Sequence, residues 1–457
     1  MVDSTPREDS LTLRRVIATW WPLAASWLLM SLELPAVSAV VARLADPEIN
    51  LAAYGGVVFP LSLIVEAPII MLLAASTALS RDMASYTKLH RFMMRSGFVL
   101  TLLHLLIALT PLYDVVVRGL LGAPEEIIEP ARIGLIIMTP WTWSIAYRRF
   151  NQGVLIRFHA SRAVSIGTAV RLGSNWGVLA IGYLIGTIPG IVVGTAAVAT
   201  GVVAEALYIG LRTRPIVRGP LAAAPTVEPA LTFGAFLAFY VPLALTSLLN
   251  LLIQPIGSAA LGRMPLALAS LAAWPVMSGI SFIFRSPGIA YNEVVVALFD
   301  EPGAVRSLRR FAVYLSVVTT VLLLLITVTP LGTFWLSTVS ALPPELVELA
   351  EPGLWLMLPL PLLIAIQNWY QGAIVASRRT RGVTEAIAIF LVTTAVVLGV
   401  GVVWGSIPGL YVGLAAFSLA TFTQTAWLWV RSRPVIARAE NGEPAPVVQP
   451  AEITAAD

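Results

Sequence analysis

The sequence predicts an all-α polytopic membrane protein, with twelve transmembrane helices in two parallel-repeat six-helix lobes around a central cleft. Composition, the length of the apolar runs and an internal repeat each point there. Hydrophobic residues make up 58% of the 457-residue chain and charged residues only 12%, with a mean hydropathy of +0.84. A soluble domain carries about 25% charged residues, so this chain has too little polar surface to cover its apolar content in water.

Crossing the hydrocarbon core takes roughly 20 apolar residues of helix. Stretches of that kind lie at about 15–43, 51–79, 92–113, 131–157, 164–186, 189–211, 233–261, 268–297, 309–331, 350–376, 384–405 and 408–430. Loops with Pro, Gly and charge separate them. Thr187-Ile188-Pro189-Gly190 and Ser406-Ile407-Pro408-Gly409 read as tight turns between antiparallel helices. Barrel strands would alternate apolar and polar residues at every second position; these runs stay apolar throughout, so they are helices. The N-terminal MVDSTPREDS is polar, and the first apolar run is too long for a signal-peptide core, so the first helix is expected to remain as a span.

Basic residues orient the bundle. With a cytoplasmic N-terminus, only Arg43, Arg118, Arg132 and Arg263 of the 29 Lys and Arg fall outside, and Arg285 falls within a span. The others lie at the inner side, which is the positive-inside bias, and places both termini in the cytoplasm at the inner (plasma) membrane. The inner-loop arginines account for the basic pI of about 9.5 without a nucleic-acid partner. Cysteine is absent, which excludes disulfides and thiolate metal sites.

The second half of the chain repeats the first. Trp21-Pro22-Leu23-Ala24 returns as Val241-Pro242-Leu243-Ala244, and Leu34-Pro35 as Gln254-Pro255, both 220 residues on. After the second helix the shift is 219, matching Thr110-Pro111-Leu112 with Thr329-Pro330-Leu331, Gln152-Gly153 with Gln371-Gly372, and Ile188-Pro189-Gly190 with Ile407-Pro408-Gly409. Six spans per unit is an even number, so both copies enter from the same side, and an axis along the membrane normal should relate them. The expected organisation is a polar tail over 1–14, an N-lobe over 15–214, a cytoplasmic linker over 215–232, a C-lobe over 233–434 and a disordered tail over 435–457.

At these residues the chain resembles the MOP superfamily: multidrug and toxic compound extruders (MATE), polysaccharide and lipid flippases, and their relatives. The Pro-Leu pairs opening helices 1 and 7, Glu33 in helix 1 and Leu51-Ala52-Ala53-Tyr54-Gly55 entering helix 2 are most similar to the progressive ankylosis branch and its bacterial members. The likeness spans 15–434. It implies a V-shaped central cleft and export coupled to ion movement or driven by the substrate's own gradient. It also implies a coupling role for Glu33, the single acid of helix 1. Sodium-type relatives carry an acid in helix 7, where this chain has Asn250 and Gln254, which argues against sodium coupling through that lobe; with Gln152 and Gln371 these two are candidate cavity or substrate residues.

Charges inside spans are the residues to explain, because each costs roughly 2.5–3.5 kcal/mol at mid-bilayer and usually faces protein or a wet cavity. Glu205 and Glu385 are expected near span ends, where interfacial exposure accounts for them, and Glu293 at an inner end. Glu33 and Glu66 are the proton or ion candidates. Glu66 and Arg285 are mates under the repeat, each with a proline two residues on (Pro68, Pro287), and are expected either to meet across the cleft as a gate or to be satisfied within their own lobes. Helix 4 carries Arg148, Arg149 and Gln152, and its counterpart carries Gln371. With Arg171 and Arg285 the arginines would line an inner cavity whose guanidinium forks suit a carboxylate or phosphate. Anchoring at the cytoplasmic interface is the alternative reading of the same arginines. His104 reads as a packed polar residue.

No Walker loop, HExxH, His/Cys cluster or GxSxG occurs, so neither an enzyme nor a cofactor or metal is expected. The leading reading is a monomeric secondary transporter exporting a small organic molecule, with an anion and proton coupling both suiting the residues. A lipid-linked oligosaccharide flippase and a non-transporting scaffold are the alternatives.

Overall fold

The computed structural model describes residues 11–377 and 381–441, and every regular element among them is helical. Twelve long segments run back and forth. They are α1 (Leu13–Val41), α2 (Pro47–Leu79), α3 (Met83–Leu109), α4 (Ile128–Arg157), α5 (Ser161–Ile185), α6 (Gly190–Arg218), α7 (Phe233–Leu261), α8 (Ala267–Leu298), α9 (Ala304–Val328), α10 (Pro344–Ala376), α11 (Arg381–Trp404) and α12 (Gly409–Glu440). The start of α1 and the end of α12 therefore share one face of the bundle, the terminal face; the other is the distal face.

Among the described residues, nine of these segments are long and apolar enough to cross a membrane by length and composition. The three that fall short are α4, α5 and α12, which turn polar residues inward: Arg148, Asn151 and Gln152; Asn175; and Thr421, Gln424 and Thr425. Their outer faces stay apolar, with Ile133 and Ile136, Ile181 and Leu184, and Leu419 and Phe422 exposed.

The repeat is visible in backbone detail. α1 is interrupted at Leu32 and α7 at the matched Leu252. Each break lies just ahead of a proline, Pro35 or Pro255, whose ring removes a bond to the carbonyl one turn back. Asp46 and its mate Leu266 both take left-handed conformations where α2 and α8 begin. Asn50 Oδ1 accepts the Ile191 N–H at 2.9 Å, and the matched Ser270 Oγ accepts the Leu410 N–H at 3.1 Å. The second helix of each lobe thus caps the sixth, satisfying a donor that a helix start leaves open.

Two boundaries differ from expectation. α6 continues through Pro215 to Arg218 and α12 through Pro434 to Glu440. Each proline costs one intrahelical bond without ending its helix, so the linker begins at 219 and the first residues of the expected tail are helical. The remainder of that tail, 442–457, and residues 1–10 lie outside the described residues.

The lobes exchange their first helices. The terminal half of α1 packs on α8 and that of α7 on α2. Trp20 Nε1 donates to the Pro287 carbonyl at 2.9 Å, and the matched Tyr240 hydroxyl donates to the Pro68 carbonyl. At the distal face the lobes close on each other. A Cβ on Gly55 would come within 2.7 Å of Pro275, and one on Gly262 within 2.7 Å of the Gly122 carbonyl oxygen. Arg43, at the distal end of α1, donates to the carbonyls of Thr338 (2.5 Å) and Val339 (3.0 Å) in the other lobe. Its mate Arg263 donates to the carbonyl of Gly119 at 2.7 Å, the residue that matches Thr338. The conformation is sealed distally by two copies of one latch.

Candidate functional site

Below that seal, near the middle of the helices, the lobes enclose a cavity of about 380 Å³. Glu33, Tyr54, Glu66, Trp141, Arg148, Arg149 and Arg171 line it from the N-lobe, and Gln254, Trp274, Phe282, Arg285 and Phe417 from the C-lobe.

The N-lobe wall is a chain of buried and part-buried charges. Arg171 Nη1 lies 2.9 Å from Glu33 Oε2, and Asn175 Nδ2 donates to the other oxygen at 3.2 Å. Arg171 Nε is 3.5 Å from Glu205 Oε2. Glu205 in turn holds Arg148 and accepts from Gln152 Nε2 at 2.9 Å. The network therefore ties α1, α4, α5 and α6 together. Gly201 makes it possible: a Cβ there would press within 2.9 Å of the Arg171 carbonyl oxygen, so α5 and α6 touch one turn from Glu205.

Glu205 is fully buried, which overturns the expectation of interfacial exposure. The missed signal is the length of α6. With the helix ending at Arg218, Glu205 sits near its middle rather than one turn from its end. Glu385 does lie at the terminal end of α11, held by Arg431 at 2.9 Å, and Glu293 is exposed.

The repeat supplies an internal control. The positions matching Arg148 and Glu205 hold Gln367 and Gln424, those matching Arg171 and Glu33 hold Phe390 and Ile253, and Gln367 and Gln424 are buried. The C-lobe builds the same six-helix unit with neutral side chains at these places. Buried ion pairs are weak contributors to stability because desolvation offsets their attraction. The fold therefore has no need of the N-lobe charges.

Three charged groups have no such partners. Glu66, only 4% exposed, has an oxygen without a hydrogen bond; its charged neighbours are Arg148 and Arg149. The Nε groups of Arg149 and Arg285 are likewise unbonded, and the Arg285 guanidinium lies 4.6 Å over the Phe417 ring. No ion pair joins Glu66 to Arg285 in this conformation. Both lie about three turns beyond the Gly55–Pro275 contact, where the lobes have already parted. Four guanidiniums, of Arg148, Arg149, Arg171 and Arg285, thus line the cavity with the carboxyl groups of Glu33 and Glu66, while the Glu205 carboxylate stands behind the wall on Arg148.

Of the other sequence candidates, Gln254 lines the cavity and Gln152 stands behind it on Glu205. Asn250 is exposed on α7 and does not line it. Gln371 is outside the lining too, because Gly372 is the residue that α10 presses against Val295 on α8, which turns Gln371 aside. His104 is packed between Thr142 Oγ1 (3.0 Å) and the Leu135 carbonyl (2.9 Å), as expected for a structural residue.

No protein-family model matches the chain, and no curated protein matches it in sequence. Solved structures do match over nearly its whole length. An inward-facing multidrug resistance MATE family transporter of the MOP superfamily superposes with a TM-score of 0.67 at 15% identity, covering 92% of this chain and 98% of the other. The lipid II flippase MurJ in an inward closed conformation gives 0.62 at 14% identity, covering 91% and 90%. A MOP superfamily transporter from Pyrococcus furiosus, for which a binding pocket of reverse polarity is taken to suggest a different function, gives 0.57 at 14% identity, covering 94% and 97%. The chain has the fold of the MOP superfamily transporters.

Proposed function

We propose that the chain is a secondary transporter that moves a small organic anion outward by rocking its two lobes about the central cavity, with proton linkage through the cavity acids. The observation that carries this reading is the pair of uncommitted guanidiniums, Arg149 from one lobe and Arg285 from the other, facing a single space of about 380 Å³. Such a volume suits a small molecule and is far below that of a lipid-linked oligosaccharide. Two arginine forks favour a carboxylate or phosphate, while Trp141, Phe282 and Phe417 offer an apolar wall to the rest of the molecule. An anion held by both lobes would pull them together on the terminal side, as the step that opens the distal side requires.

The positive-inside bias supports a cytoplasmic terminal face, and the distal seal then makes this the loading conformation. The MATE template superposes better in its inward-facing form, at 0.67, than an outward-facing MATE structure does at 0.59. Glu66 competes with a bound anion for Arg149, so a proton on Glu66 and an anion in the cavity favour each other. A proton leaving on Glu66 cancels one negative charge, so the interior-negative potential, worth about 2.3 kcal/mol per net charge per 100 mV, drives efflux of di- and tricarboxylates, while the anion's own gradient alone drives that of a monoanion. Glu33 tunes the site through Arg171. Within the superfamily, the Pro-Leu, Glu33 and Leu51–Gly55 pattern supports the progressive ankylosis branch as the nearest kin.

The test is flux through purified protein in liposomes, offered organic di- and tricarboxylates, organic phosphates, cationic dyes and labelled lipid, with and without a pH gradient. Saturable anion flux, lost in R149Q and R285Q, is expected. Cation or lipid flux with no anion flux would overturn the proposal.

A further inference from the structure

A second cleft, of about 280 Å³, lies near the terminal face between α3 and the start of α7, away from the central cavity. One wall is basic: Lys88, Arg91 and Arg95 follow one another down a face of α3. The other is apolar, with Leu231 from the linker's end and Phe233 and Phe236 from the second lobe. All three basic side chains are exposed, and none has a carboxylate within ion-pair distance among the described residues. Lys88 spends one donor on the Leu231 carbonyl, at 2.7 Å, which fixes the position of the linker's end against α3.

Exposure shows where the bilayer begins. Beyond the basic run, α3 presents Met94, Phe98, Val99 and Leu102 to the outside, and α7 presents Phe233, Phe239 and Val241. The cleft therefore lies at the edge of the apolar band, with the cations on its α3 wall and the phenyl rings opposite them at the same depth, since Lys88 meets Leu231 and Phe92 meets Phe236. Positive-inside bias makes this the cytoplasmic leaflet, whose anionic lipids give it a negative surface potential.

The other lobe shows that the junction closes without this feature. At the matched place, where α9 meets the start of α1, Ser307 Oγ donates to the Leu11 carbonyl at 2.6 Å, replacing the Lys88 bond to Leu231. The mates of Arg91 and Arg95 are Arg310 and Tyr314, so one of the three cations remains there. Packing α3 on α7 does not account for three.

We propose that this cleft binds the headgroup of an anionic phospholipid of the cytoplasmic leaflet. The Arg91 and Arg95 guanidiniums take the phosphate, Lys88 adds charge beside the linker, and the exposed Phe233 lies along the glycerol, with the buried Phe236 as the floor of the cleft. The lipid would sit where the C-lobe's first helix leans on the N-lobe, at Phe92 against Phe236 and Tyr240. The inference is independent of what the central cavity carries.

The experiment is native mass spectrometry of the full chain released from mixed phosphatidylglycerol and phosphatidylcholine nanodiscs. The wild type is expected to retain one phosphatidylglycerol in preference to phosphatidylcholine. R91Q/R95Q should lose that preference about 30-fold, the equivalent of about 1 kcal/mol for each basic residue at the membrane surface. R212Q/R214Q, which removes the same charge from exposed positions at the terminal end of α6, should keep it. Monodispersity on size exclusion checks that each variant is folded. Equal loss in both double variants would mean a diffuse surface field, and no headgroup preference in the wild type would mean no site. Occupancy by inorganic phosphate in lipid-free micelles with no retained lipid would assign the cleft to a soluble ion. Each of these three results overturns the proposal.

Discussion

The distal latch allows a worked prediction. Arg43 makes two hydrogen bonds to the opposite lobe and Arg263 makes one, at 2.5–3.0 Å, and both side chains are exposed. A hydrogen bond contributes about 0.5–1.5 kcal/mol net, and exposure keeps these towards the low end. Three of them sum to about 2 kcal/mol, which exists only while the distal side is closed. Replacing both arginines with methionine keeps an unbranched apolar stem and removes the donors. The ratio of distal-open to distal-closed protein should then rise about 30-fold, so that an open population of about one in a hundred becomes about a quarter. The chain has no cysteine, so E126C and E345C, at matched and exposed distal positions, provide a unique pair of spin-label sites. Pulsed electron resonance distances between them should gain a longer component in R43M/R263M. Each single variant should gain less, R43M more than R263M. An unchanged distance distribution in the double variant would show that the backbone contacts at Gly55 and Gly262 close the distal side unaided, and the latch argument would fail.

Other outcomes follow from the same geometry. E205Q leaves Arg148 buried without its counter-charge and should destabilise the protein by about 3–5 kcal/mol, whereas E205Q/R148Q copies the Gln367 and Gln424 of the other lobe and should recover much of the loss; thermal unfolding in detergent measures both, and a double variant worse than E205Q would contradict the repeat argument. E66Q should tighten anion binding several-fold, because it removes the competitor for Arg149, and should flatten the pH dependence of that binding; calorimetry that finds weaker binding would exclude Glu66 from the role proposed. W20F and Y240F each delete one donor to a proline carbonyl, and about 1 kcal/mol of the terminal-side packing should go with it, seen as faster hydrogen exchange at the starts of α1 and α7. Asp82, between α2 and α3, accepts from the N–H groups of Val227 (2.9 Å) and Ser85 (2.7 Å), which hold its carboxyl below the usual range. With its folded-state value lowered, Asp82 contributes stability that is fully present above the unfolded value of about 3.9 and is lost as pH falls from there through the folded value. Protease protection of linker residues 219–232 should therefore be flat from about pH 5 to 8 and fall below about pH 4, and D82N should expose the linker at all pH values.

Much of the architecture was legible in the letters. Run lengths and punctuation located the helices, and the constant offset between Leu34-Pro35 and Gln254-Pro255, or Ile188-Pro189-Gly190 and Ile407-Pro408-Gly409, announced the duplication. Glu33, Glu66, Arg148, Arg149 and Arg285 were found because a charge in an apolar run is costly wherever it lies. Glu205 escaped for a local reason: the basic residues after Leu211 looked like the end of the span, while α6 runs on to Arg218. Asn250 and Gln371 lie outside the cavity lining for a different reason. Their polarity was plain, but which way each faces depends on the rotation of α7 and α10 against their neighbours, set by contacts such as Gly372 against Val295.

By itself the sequence determined the number of helices, their direction and the pairing of the halves, because these follow from periodicity, hydropathy and offset along one chain. Tertiary structure alone decided who meets whom. That Arg171 bridges Glu33 to Glu205, that Trp20 reaches Pro287 and Tyr240 reaches Pro68, and that Arg43 and Arg263 grip opposite loops depend on the packing of helices far apart in the chain. A charge inside a span announces that it needs a partner or a cavity, but the partner's identity is a matter of helix rotation and crossing, which side-chain volumes at the contacts determine and no local pattern records.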